Sequence, residues 1–120
     1  MSLYFQLNET TLWNPSIKVG LIFKGEADVI ASAFGIPSGL SDVVEDDCQV
    51  NLPVFETFIA EMVRQLDRTN HPILLSLTTG FVGSALALIE RAGGKLPESE
   101  PGRAAEWAEL SADAARSMPV

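Results

Sequence analysis

IKVGLIFKGEADVIASAF, residues 17 to 34, is the stretch whose reading decides the fold. Ile17, Val19, Leu21 and Phe23 occupy alternate positions, with Lys18 and Gly20 between them. That period of two predicts a strand over 17–23, although Ile22 breaks its polar face. Lys24-Gly25-Glu26-Ala27-Asp28 then reads as a hairpin turn, the glycine supplying any positive φ the turn demands. Residues 29 to 34 follow as the returning strand. Ala31 and Ala33 also permit a helix there, which would leave a smaller sheet.

Toward the N-terminus, Leu3 to Asn8 reads as a first strand with Leu3, Phe5 and Leu7 on one face, closed off by the turn Asn14-Pro15-Ser16. Toward the C-terminus, residues 35 to 50 read as an irregular acidic connection, with Cys48-Gln49-Val50 as a brief extended piece. A helix is predicted from Asn51, its cap, through Pro53 in the first turn to Arg68. Val54, Phe55, Phe58, Ile59, Met62, Val63 and Leu66 form its apolar stripe. Glu56, Glu61, Arg64, Gln65 and Asp67 are expected on the opposing surface. Pro72 opens an interior strand over 73–77, and Thr78-Thr79-Gly80 is a tight junction into a helix from Phe81 to Ala92, stopped by Gly93-Gly94. Lys95 to Gly102 is a linker, and Arg103 to Arg116 a helix whose narrow stripe is Trp107, Leu110 and Ala114. The expected fold is therefore α+β: a small mixed sheet with N-terminal antiparallel strands, helices packed on one face, and a peripheral C-terminal helix. Residues 1–94 form the α+β domain, and 95–120 the linker and C-terminal helix.

Length and charge narrow what such a fold could do. The chain has 120 residues, enough for one core and not two. Eight basic residues stand against sixteen acidic ones, a formal charge of -8, and neither half is positive. A phosphate backbone or an anionic membrane needs a cationic surface, so no nucleic-acid and no membrane partner is expected. No window approaches the ~20 apolar residues of a membrane span. No leader is expected, since Met1 to Leu7 carries no basic residue and no long apolar run, and the one cysteine, Cys48, makes an intramolecular disulfide impossible. These features lead to the expectation of a soluble, cytoplasmic protein. An apolar share of 47% in so small a chain leads to the expectation that a partner covers part of it.

The residues that could carry chemistry stand apart. His71, the only histidine, lies between a helix end and Pro72 with no spaced partner. Cys48 follows Glu45, Asp46 and Asp47, whose charges disfavour a thiolate. The same acids lack the alternation and central glycine of a calcium loop. Only Thr79, Gly80 and Gly83 make an attractive ligand site. If a strand ends and a helix begins there, free backbone N–H groups would face a small anion or cofactor. The run has neither the Walker lysine nor the three-glycine dinucleotide pattern, and a helix cap with close-packing glycines accounts for it as well.

The run NLPVFETFIAEMVRQLDRTNHPILLSLTTG, residues 51 to 80, resembles the small eukaryotic proteasome-assembly chaperones, the third and fourth of that set. The resemblance covers a helix ending in arginine-threonine-asparagine and a hydrophobic strand after it. It implies a small α+β protein that dimerises and helps build a larger complex without catalysis. The first expectation is accordingly a noncatalytic protein-interaction or assembly module acting as a homo- or hetero-oligomer. Trp107, Leu110 and Phe5 would be its partner-binding residues, the N-terminal strands would be available to extend a partner's sheet, and no cofactor would be needed. The alternatives are an anion- or cofactor-binding domain using Thr79, Gly80 and Gly83, and a small enzyme with a site shared across a subunit interface.

Overall fold

The computed structural model describes residues 1–119. Of the C-terminal segment expected over 95–120, residue 120 lies outside the described residues. The elements are β1 (Tyr4–Leu7), β2 (Thr10–Trp13), α1 (Ile17–Phe34), β3 (Asp47–Gln49), α2 (Leu52–Arg68), α3 (Pro72–Arg91) and α4 (Pro101–Arg116). The α+β class, the mixed sheet and the peripheral C-terminal helix are as expected. The strands are not all where they were expected.

Residues 17 to 34 form one helix, so both expected strands and the hairpin turn between them are absent. The capping residues explain why. Ser16 Oγ accepts the Val19 N–H, and Gly35 takes the left-handed conformation at φ 72, closing the last turn on Ala31 and Ser32. Phe23, Ala27, Ile30 and Ala31 then fall at helical spacing on the buried side, with Gly20 a turn earlier. Gly20 is required there, because a Cβ would lie 2.6 Å from the Leu3 side chain. The alternation of Ile17, Val19, Leu21 and Phe23 did not reflect a sheet face, since Val19 and Leu21 point to solvent.

The second departure is 73–77, expected as a strand and found as the first turns of α3. His71 is the N-cap, its Nδ1 accepting the Leu74 N–H at 3.3 Å, and Pro72 sits at the first helical position. Three leucines in five residues favour a helix, and five residues of alternation are too few to tell strand from helix. By length and composition α3 is long and apolar enough to cross a membrane, with a mean hydropathy of 1.8 over its apolar window, half of it buried. This corrects the expectation that no such window exists. In this fold its second half, from Thr78 to Ile89, belongs to the core, while Ile73 and Leu77 in its first half are exposed.

The sheet has the order β2-β1-β3, with β2 antiparallel and β3 parallel to β1. Strand β2 was not anticipated. It returns from β1 through a turn in which Asn8 takes φ 56, a conformation asparagine tolerates. Phe5 stacks on Trp13 at 5.3 Å and meets Phe23 edge-on at 5.4 Å, and Phe23 stacks on Phe81 at 4.8 Å. Phe58 of α2 approaches Phe81 at 6.2 Å. One aromatic chain thus ties the sheet, α1, α3 and α2 into a single core.

Candidate functional site

The expected ligand site at Thr79, Gly80 and Gly83 loses its geometric ground. It required a helix to begin there, and α3 begins at Pro72, so these residues lie in the helix interior, where backbone N–H groups are committed to helical bonds. The hydroxyls are also occupied: Thr78 Oγ1 donates to Leu74 O at 2.7 Å, and Thr79 Oγ1 donates to Leu75 O. Gly83 has a packing role instead. A Cβ there would stand 3.2 Å from the Leu110 carbonyl oxygen, so the glycine lets α4 lie against α3.

The residues expected at a partner surface belong to the chain's own interior. Phe5 is 0% exposed and Trp107 is 4% exposed, while Leu110 is partly buried against the core. Trp107 is held by Asp67, a residue placed on the polar side of α2 from sequence and found with its side chain 3% exposed. Trp107 Nε1 donates to Asp67 Oδ1 at 2.8 Å, Ser99 Oγ donates to Oδ2, and the Glu100 N–H donates to Oδ2 at 3.0 Å. Arg103 stands 3.6 Å from the same carboxylate and lies over the Trp107 ring at 5.2 Å. Burial pushes this carboxyl up, but the Ser99 and Trp107 hydrogen bonds, the Glu100 N–H and the Arg103 charge outweigh it and hold it below its ordinary value. The arrangement is a polar latch fastening α4 and the segment before it to α2.

Both outer edges of the sheet are partly covered by the chain itself, which narrows the expected route of strand addition. Beside β3, Ser41 N–H donates to Gln49 O at 2.9 Å, and Val44 and Asp47 exchange backbone bonds at 2.9 Å. Beside β2, Arg91 donates to Leu12 O at 3.1 Å, and the Asn14 N–H donates to Pro119 O at 2.9 Å. The same Arg91 also donates to Ala115 O at 3.0 Å, joining β2, α3 and α4.

Cys48 is fully buried in β3, and its Sγ donates to Ser41 O at 3.3 Å. Burial pushes the thiol up to about 11, against smaller lowering effects of the Ser41 hydrogen bond and Lys24. The thiolate is therefore scarce at neutral pH. Alkylation of Cys48 in native buffer is expected to proceed only at the rate of unfolding, and mass spectrometry after timed iodoacetamide treatment checks it. Rapid labelling of the folded chain would contradict this placement. His71 is used as a cap, and among the described residues no group of three His, Cys, Asp or Glu side chains is arranged to hold a metal ion.

Two grooves flank α2 and α4. One, of about 760 Å³, lies between α2 and residues 95–100 and is lined by Arg64, Arg68, Lys95 and Glu98. Arg64 is already paired with Glu61, whose carboxyl that contact, with Gln65, holds down at about 2. The other, of about 690 Å³, runs between α3 and α4 over Leu86, Trp107 and Ala108.

Among the described residues, several large apolar side chains are exposed. Val19 (48%), Leu21 (49%), Ile22 (58%) and Val29 (70%) of α1 are exposed, as are Ile73 (62%) and Leu77 (69%) of α3. Sequence reading missed this surface because it assigned these residues to sheet faces. The signal was the surplus of apolar positions on 17–34, more than one helix face can bury.

No curated protein and no solved structure matches the chain. A family model does, over residues 1–120, and the chain belongs to that family, DUF6086, a family of unknown function.

Proposed function

We propose that this chain is a noncatalytic protein-interaction module that works within a homo- or hetero-oligomer. The observation that carries the reading is the apolar surface of α1 and the first half of α3. Single exposed hydrophobes are ordinary on any protein. Six large ones, four on α1 and two on the first half of α3, are more than that, and apolar exposure of this extent marks contact surfaces. Covering them is favourable by roughly 25 cal/mol per Å² of apolar area removed from water. The contact would be made by helix faces, since Phe5 and Trp107 are spent on the core and the sheet edges are partly covered by the chain itself.

A photo-crosslinking residue placed at position 22 or 77 in cells that make the protein tests the reading, with position 113 on α4 as control. Protein adducts are expected at 22 and 77 and not at 113. A folded chain that gives no adduct at 22 or 77, or equal adducts at all three, would sink it.

A further inference from the structure

We propose that the face formed by α1 and the first half of α3 is closed by a second copy of this chain, with the two α1 helices antiparallel and crossing near Gly25. This rests on the interaction reading and names its partner.

Charge selects the occupant. Helix α1 carries Lys18 and Lys24 against Glu26 and Asp28, and α3 carries only Glu90 and Arg91, at its far end. Each is neutral, so the net charge of -8 lies entirely on other segments, four of its acids within 42–47. A cationic partner would be drawn to those acids and not to this face. A second copy, itself strongly negative, can approach only by a surface free of them. Along α1 the first half carries Lys18 and Lys24 and the second half Glu26 and Asp28, with Lys24 Nζ donating to Asp28 Oδ1 within the helix at 2.7 Å. An antiparallel twofold brings Lys18 of each copy alongside the half bearing Asp28 of the other, whereas a parallel pair would set like beside like. Opposed helix dipoles favour the same arrangement.

The glycines point to the same place. Gly25 and Gly80 are exposed, each in the interior of its helix, and a Cβ on either would meet nothing within 4 Å. Nothing inside the chain requires glycine at these two positions, unlike Gly20 and Gly83, and glycine weakens a helix interior. Close approach of another backbone gives both a reason. The size of the contact fixes its extent. One face of α1, about 27 Å long, is a narrow strip beside the ~800 Å² per partner of a stable interface. Ile73 and Leu77 must therefore join it.

Light scattering on the purified full chain through a dilution series tests this. The expected mass is twice 12.9 kDa at high concentration, falling to 12.9 kDa on dilution. Ile22→Asp and Leu77→Asp are each expected to weaken the pair by ~30-fold or more, as loss of an interface anchor does. Lys18→Glu should weaken it less. Thermal midpoints measured on dilute protein should stay near wild type, because Ile22 and Leu77 are 58% and 69% exposed. If Ile22→Asp does not fold, Val29→Lys, at a site 70% exposed, replaces it. A wild-type chain that stays monomeric overturns the proposal. In that case cross-links from position 22 to a different protein would preserve the interaction reading, and no cross-links would remove both. A monomer that sediments with phosphatidylcholine vesicles would assign the face to a lipid surface instead. A dimer indifferent to both Ile22→Asp and Leu77→Asp overturns the proposal as well.

Discussion

Phe5→Ala is expected to destabilise the chain by about 3–5 kcal/mol, a large share of the total stability of a domain of this size. Phe5 is 0% exposed, stacks on Trp13 at 5.3 Å and meets Phe23 at 5.4 Å, so it lies where β1, β2 and α1 converge. Its removal costs both the transfer of a large side chain and a cavity that rigid neighbours fill only in part. The sheet has just three strands, with β1 at the centre, so little else would hold it against α1. A urea titration followed by far-UV circular dichroism measures the loss. A variant of wild-type stability that fails only in complex formation would restore Phe5 to a partner surface and contradict the packing described.

The second large effect belongs to the latch. Trp107→Ala is expected to cost about 3 kcal/mol, since it empties a buried site and strips Asp67 of a donor. Asp67→Asn keeps the shape and removes the charge that faces Arg103, so about 1–2 kcal/mol is expected. The two residues share one hydrogen bond, so the double variant should lose measurably less than the two single losses added together. Acid provides a further check. The folded carboxyl of Asp67 lies below its ordinary value of 3.8, so its stabilising effect is fully present above that pH and disappears as pH falls through the folded value. The gap in thermal midpoint between wild type and Asp67→Asn should be constant at neutral pH and close below pH ~4. A gap that persists in strong acid would mean that the hydrogen-bonding atoms of Asp67, and not its charge, hold α4.

How much of this could be read from the sequence depended on how far away each cause lies. Helix α2 was legible in full, because its cap, its proline and its buried stripe from Phe55 to Leu66 are all local signals. Strand β1, the short β3 and helix α4 were legible for the same reason, within a residue or two. Helix α1 was misread because it is apolar on two sides, so its composition satisfies period two as readily as the helical period. Its boundaries were nevertheless marked by Ser16 and Gly35. The error at Thr79 and Gly80 followed from taking Phe81 as a helix start, when His71 and Pro72 already supplied a cap and a first turn. Strand β2 is four residues, too short to show a period. Asp67 was assigned to the solvent side because its partners Ser99, Glu100 and Trp107 lie far along the chain, where no local pattern reaches. The apolar face became visible only when α1 was known to be a helix, since exposure is a property of the fold and not of the residues.

Solvent accessibility of methyl groups, read by NMR with a soluble paramagnet in cells that make the protein and again on the dilute purified chain, addresses the apolar face directly. Ile22, Val29, Ile73 and Leu77 are expected to be open in the dilute chain and shielded in the cell, while buried Ile59 and Val82 are shielded in both. Methyls of α1 and α3 that stay equally open in the two settings would contradict it.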